Sequence, residues 1–61
     1  MASPVRFAVV RAVLEAKGYV LTRISGSHHI FTKPGQPLVV SVPVHRGMVK
    51  HAYYKKTLQA P

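Results

Sequence analysis

The sequence contains no cysteine and a single acidic residue, Glu15. The absence of cysteine excludes a disulfide framework and zinc sites built on thiolates, and it fits a reducing cytoplasm, where we expect the protein to act. One carboxylate side chain cannot form the cluster of carboxylates that holds Mg²⁺. The four histidines match no common ligand spacing. We therefore expect neither a metal nor another cofactor.

Long apolar stretches are also missing. No apolar run approaches the roughly 20 residues of a membrane-spanning helix. The N-terminus lacks the charged region, the apolar stretch and the cleavage site that together mark a signal peptide. We therefore expect a soluble protein with no membrane association. The 61 residues are predicted to form one domain, residues 1–61, with a small core, because a chain of this length buries only about 60% of the surface that it exposes when unfolded.

Positive charge, by contrast, is in large excess. Nine lysines and arginines give a formal net charge of +8 and an isoelectric point near 10.7. Such an imbalance indicates a polyanionic partner, which can be RNA, DNA, an acidic protein or an anionic membrane surface. Charge alone does not choose among these partners.

The first predicted element is a helix. Ser3 suits the capping position and Pro4 the first helical position, so we expect the helix to begin there and to run over residues 5–17. Apolar residues recur along this segment at helical spacing. Gly18 follows as the residue that adopts a positive φ at low cost, and it is expected to end the helix.

Three strands and a second helix are predicted after Gly18. β-branched and aromatic residues favour strands over residues 19–24, 28–33 and 38–42, with Gly- and Pro-containing turns between them. The third strand is nearly all apolar, so we expect it to be central or buried on both faces. The second helix is predicted from residue 48 to about residue 59.

These elements define an α+β fold with the order α-β-β-β-α. Consecutive strands with short links favour an antiparallel three-stranded sheet. The simplest layering places both helices on one face of the sheet and leaves the other face open to solvent.

Two adjacent histidines begin the second strand, in the stretch Gly26-Ser27-His28-His29-Ile30-Phe31. Successive strand residues point to opposite faces, so His29 shares a face with Phe31 and His28 lies on the other. Phe31 is a large apolar side chain, and its face is therefore expected to pack under the helices. This places His28 on the open face of the sheet.

An exposed histidine on a basic surface suggests chemistry on RNA. Imidazole exchanges protons near neutral pH, and RNA carries its own nucleophile in the 2′-hydroxyl group. A positioned histidine can activate that hydroxyl against the next phosphate while lysine or arginine neutralises charge in the transition state. The structural alternative is that the two histidines at a turn are solvated or bonded to the backbone.

The same stretch, joined to Val42-Pro43-Val44-His45-Arg46-Gly47, resembles the HicA-type mRNA interferase toxins. The resemblance covers most of the chain. It implies a fold like a double-stranded-RNA-binding domain, ribosome-independent cleavage of mRNA that arrests growth, and a HicB-type antitoxin that forms a hetero-oligomer with the toxin. The family's catalytic histidine falls on His28, with His29 not excluded, and His45 matches a second family histidine with a structural or phosphate-binding role.

The predicted activity is therefore metal-independent endoribonuclease cleavage of mRNA, and the alternative is a basic RNA-binding module without catalysis. Tyr53 and Tyr54 are placed for packing of the last helix, with base stacking as the other use. The residues predicted to contact RNA are Arg23, Ser27, Lys33, Arg46, Lys50, Lys55 and Lys56.

Overall fold

The computed structural model describes residues 2–61, and it contains two helices and a three-stranded antiparallel sheet. The predicted α+β class and the order α-β-β-β-α are confirmed, and two short strands are added to them. Neither helix is long and apolar enough to cross a membrane. The elements are β1 (Val5–Arg6), α1 (Phe7–Ala16), β2 (Val20–Ser25), β3 (His28–Lys33), β4 (Gln36–Pro43), β5 (Met48–Val49) and α2 (His51–Gln59).

Helix α1 begins at Phe7, so the prediction that Ser3 and Pro4 start it is wrong. Val5 and Arg6 are extended and pair with β5 in an antiparallel two-stranded ribbon. This pairing provides hydrogen-bond partners for the backbone N–H and C=O groups of these two residues, which a longer helix would bond within itself. The helix ends at Ala16, one residue earlier than predicted, and Gly18 stops it as predicted. The Tyr19 N–H donates to the Leu14 carbonyl over 3.0 Å, and Gly18 takes a φ of 93°, which is the Schellman arrangement that favours glycine.

The sheet has the order β2-β3-β4, so β3 is central and β4 is an edge strand. The expectation that the third long strand is central or buried on both faces is therefore wrong. Leu38 and Val39 on β4 are 64% and 60% exposed. Three consecutive strands joined by short turns must place the middle one at the centre, whatever the hydropathy of the third.

The core lies between the sheet and the two helices, which cover the same face. Phe31 on the central strand is fully buried, and residues of α1, β4 and β5 surround it. Tyr53 and Tyr54 of α2 pack against this cluster. The fully buried apolar side chains are Val10, Leu14, Tyr19, Phe31, Val42 and Val49.

Helix α2 begins three residues later than predicted, at His51, because Met48 and Val49 are used by β5. The other end of α2 is held by Lys17, the residue that follows α1. The Lys17 Nζ donates to the carbonyl oxygens of Leu58 and Ala60, each over 2.6 Å. A cation at this position satisfies free carbonyls and complements the negative end of the helix dipole. The last helix is thereby fixed against α1.

Candidate active site

A cleft with a volume of about 180 Å³ opens where β3 begins, β4 ends and α2 begins. We call it the histidine cleft. Two of the predicted site histidines, one lysine and one tyrosine meet there, although they come from distant parts of the sequence. The residues that line the histidine cleft are Ser27, His28, Pro43, His45, Lys50 and Tyr53.

His28 is the first residue of β3 and is exposed. It pairs with Ser25 on one neighbouring strand and with Pro43 on the other. Its backbone is therefore fixed on both sides by the sheet, while its imidazole remains accessible. Phe31 on the same strand is fully buried, which is the arrangement that strand alternation predicts.

His29 points to the opposite face, where it is half-buried under the start of α1. Its ring centroid lies 4.6 Å from that of Phe7. Its Nδ1 lies 3.3 Å from the Ser27 carbonyl oxygen. These contacts give His29 a packing role, and it does not line the histidine cleft.

His45 is brought to His28 by a backbone hydrogen bond and a tight turn. The Val44 N–H donates to the Ser27 carbonyl over 2.7 Å, which joins the end of β4 to the loop before β3. His45 and Met48 then exchange two hydrogen bonds of 2.9 Å each. The turn between them is held against α1, because the Phe7 N–H donates to the Gly47 carbonyl over 2.8 Å.

The two central residues of this turn both have positive φ, 52° for Arg46 and 75° for Gly47. This combination is the type I′ hairpin turn, which favours Asn-Gly. The left-handed conformation costs a non-glycine residue about 1–2 kcal/mol. Arg46 is therefore in a strained backbone conformation, and its exposed side chain lies at the tip of the turn beside the histidine cleft.

We expect Arg46→Asn to raise the free energy of unfolding by part of the roughly 1–2 kcal/mol that the left-handed conformation costs, because asparagine tolerates this region better than arginine. Urea denaturation followed by circular dichroism measures the change. Arg46→Ala is the matched control, since it removes the same charge without the preference of asparagine for this turn. An equal gain in the alanine variant would show that charge repulsion, rather than backbone strain, is relieved.

The predicted RNA-binding cations are distributed unevenly around the cleft. Lys50 lines it, and Arg23 pairs with Ile30 across a β-bulge in β2, which places it on the same open face as His28. Lys56 lies farther along α2, with its Nζ 5.3 Å from the centroid of the Tyr53 ring. Lys55 is exposed on α2 and does not line the cleft.

Lys33 lies at the far end of β3, roughly 17 Å along the strand from His28 at the usual rise per residue. Its Nζ lies 5.6 Å from the centroid of the Tyr19 ring and 3.4 Å from the Pro61 carbonyl oxygen. The structure does not bring this lysine to the histidine cleft. Its contact with RNA stays a prediction.

The carboxylate of Glu15 is engaged elsewhere. Its Oε2 accepts a hydrogen bond from Arg11 Nε over 3.1 Å on the exposed side of α1. An exposed pair of this kind contributes only about 0.3–0.5 kcal/mol. Within residues 2–61, no three histidine or acidic side chains are grouped closely enough to hold a metal ion. Glu15 does not line the histidine cleft, and the titratable side chains that do are His28, His45, Lys50 and Tyr53.

Sequence reasoning identified His28, His45, Ser27 and Lys50, but it did not place Tyr53 in the wall of the cleft. The available signal was the spacing on α2. Lys50 is the residue before α2 and Tyr53 lies in its first turn, so the two are close in sequence at the start of the helix.

The fold and the cleft define a small basic α+β domain with two histidines at an accessible surface. A comparison with known protein families matches residues 8–59 to the family described as HicA toxin of bacterial toxin-antitoxin. Neither the curated proteins nor the solved structures yielded a match to the chain. The family match covers nearly the whole chain, so the chain belongs to the HicA toxin family, and the resemblance seen in the sequence is confirmed. Its role is that of a toxin in a bacterial toxin–antitoxin system.

Proposed function

We propose that the protein is a metal-independent endoribonuclease that cleaves mRNA in the histidine cleft. The observation that carries this proposal is that His28 and His45, from different elements, line the same cleft together with Lys50. Two imidazoles beside a cation provide a general base, a general acid and a group that stabilises negative charge. These are the groups that cleavage by the 2′-hydroxyl of RNA requires.

In the proposed reaction, His28 accepts the proton of the 2′-hydroxyl as its oxygen attacks the adjacent phosphorus. A new bond forms between the 2′-oxygen and phosphorus, and the bond from phosphorus to the 5′-oxygen breaks. His45 donates a proton to the departing 5′-oxygen. The products are a 2′,3′-cyclic phosphate and a 5′-hydroxyl group, so atoms and charges balance without another reactant.

Lys50 is proposed to hold the phosphate during this reaction. It lines the cleft and is also the residue that precedes α2, so its backbone adopts the capping position of the helix. The start of a helix carries a partial positive charge and unpaired N–H groups, both of which favour an anion. Arg23, on the open face beside His28, is proposed to bind a neighbouring phosphate. Ser27, Arg46, Lys55 and Lys56 are proposed to extend this contact surface.

The proposed physiological partner is a HicB-type antitoxin, with which the toxin forms a hetero-oligomer in the cytoplasm. A formal charge of +8 makes the chain complementary to an acidic protein surface, which favours their association. A partner that binds only the folded toxin would also raise its melting temperature, because its binding energy adds to the stability of the native state.

The test is incubation of the purified protein in EDTA with a mixed-sequence RNA and, separately, with a DNA strand of the same sequence, which lacks the 2′-hydroxyl groups. We expect cleavage of the RNA alone, with 5′-hydroxyl ends that a kinase labels without prior phosphatase treatment. Products bearing 5′-phosphates would contradict the proposed chemistry. Binding of RNA without any product would instead identify the protein as the non-catalytic RNA-binding module.

A further inference from the structure

A second cleft lies next to the histidine cleft, between the edge strand β4 and helix α2. Its volume is about 240 Å³. Residues 39–42 of β4 form one wall, and Tyr53, Lys56 and Thr57 of α2 form the other. We call it the tyrosine cleft. Tyr53 lines both clefts, so the two are neighbours.

The tyrosine cleft combines an aromatic ring, a cation and a strand edge. Tyr53 is half-buried, so the core that it packs against does not fully enclose it. The Lys56 Nζ lies 5.3 Å from the centroid of that ring. Because β4 has a neighbour on one side only, its outward backbone N–H and C=O groups are free to bond a ligand.

Two lysines lie on either side of Tyr53 in sequence, Lys50 just before α2 and Lys56 within it. Lys50 lies three residues before Tyr53 in the histidine cleft, and Lys56 lies three residues after it in the tyrosine cleft. At 1.5 Å per residue, these two positions are about 9 Å apart along the helix axis. A groove with a central ring and a cation on each side suits a chain of bases and phosphates rather than an apolar ligand.

We propose that the tyrosine cleft binds the base of a nucleotide adjacent to the scissile phosphate of a single-stranded RNA, stacked on Tyr53. This inference rests on the proposed function, which places the scissile phosphate at His28. Lys56 would then contact the phosphate of the stacked nucleotide, and the free edge of β4 would contact the edge of its base. A base within a duplex is stacked and paired on both sides and cannot enter a cleft beside a strand edge.

Tyr54 provides the contrast within the same helix. Its ring lies edge-on to His51, with 5.8 Å between the centroids, and it packs against the core. It lines neither of the two clefts. A general effect of removing a tyrosine from α2 should therefore appear at both positions, whereas base stacking should depend on Tyr53 alone.

The experiment measures binding without cleavage, in the His28→Ala background, with a fluorescein-labelled single-stranded RNA of mixed sequence. We expect Tyr53→Leu to weaken binding roughly ten-fold, as for the loss of one stacked base. Tyr53→Phe, which keeps the ring, should stay within about two-fold of the parent, and so should the control Tyr54→Leu. Equal binding by Tyr53→Leu and its parent would overturn the inference.

A second measurement leaves the protein unchanged and removes one base of the RNA at a time. Abasic replacement at one position should reproduce the loss seen with Tyr53→Leu, and it should add little further loss in that variant. Annealing the complementary strand should also weaken binding. Binding of the duplex as tightly as the single strand would overturn the inference. This comparison does not depend on whether the Tyr53→Leu variant folds.

The two proposals fail separately in these experiments. Cleavage by the wild-type protein, combined with binding that does not depend on Tyr53, would overturn only the proposal that the tyrosine cleft binds a base. If binding depends on Tyr53 but the wild-type protein does not cleave RNA, the proposed nuclease activity is overturned. The tyrosine cleft is then a site that binds single-stranded RNA.

Discussion

Replacement of His28 with alanine should lower the rate of RNA cleavage by roughly 10²–10⁴-fold, which is the usual contribution of a general acid or base. The fold should survive, because His28 is exposed and its backbone is paired on both sides by Ser25 and Pro43. Exposed substitutions away from caps and turns usually change the free energy of unfolding by no more than about 0.5 kcal/mol. Product formation in EDTA, resolved on a gel, measures the effect.

The matched control is His51→Ala. His51 is half-buried at the start of α2, where its ring contacts Tyr54, and it does not line the histidine cleft. We expect the control to cleave RNA at nearly the parent rate. Thermal melting of both variants separates a chemical loss from unfolding. Undiminished cleavage by His28→Ala, after exclusion of a contaminating nuclease, would remove His28 from the mechanism.

Local patterns were sufficient to predict most of the fold. The bounds of β3 agree with the prediction, because the turns on both sides of it carry glycine. Gly18 ends α1 since the Schellman arrangement needs the positive φ of 93° that it adopts. These features depend on neighbours in sequence, which is why sequence reasoning reaches them.

Pairing between distant segments could not be predicted in this way. Strands β1 and β5 have two residues each, and Val5 pairs with Val49 at the other end of the chain. No periodicity is visible in two residues, so the sequence predicts both segments as parts of the helices that follow them. This pairing also fixes the turn after His45, and therefore one wall of the histidine cleft.

The chemistry of individual residues pointed to His28 and His45, but their meeting depends on the tertiary structure. The hydrogen bond from Val44 to Ser27 joins two loops that lie on opposite sides of β3 and β4 in sequence. Tyr53 shows the limit of sequence reasoning most clearly. Helical spacing predicts a packing role for it, and only the position of α2 beside β4 reveals that Tyr53 also lines two clefts.

The largest effect on stability is expected from Phe31→Ala. Phe31 is fully buried on the central strand and lies against Phe7 of α1, with 6.1 Å between the ring centroids. Removal of a buried phenylalanine side chain costs about 3–5 kcal/mol. A core of this size supplies no more than about 3–5 kcal/mol of net stability. The variant should therefore be largely unfolded at 25 °C, as measured by circular dichroism and by loss of a cooperative thermal transition.

Leu38→Ala is the control for truncation of an apolar side chain in the same sheet. Leu38 is 64% exposed on the edge strand β4, so its removal should change the free energy of unfolding by no more than about 0.5 kcal/mol. Comparison of Phe31→Ala with His28→Ala then separates loss of cleavage through unfolding from loss of cleavage through missing chemistry. Phe31→Ala should lose activity together with its fold, whereas His28→Ala should lose activity and keep the melting temperature of the parent. A folded Phe31→Ala protein would contradict this prediction and show that the remaining core is sufficient to hold the fold.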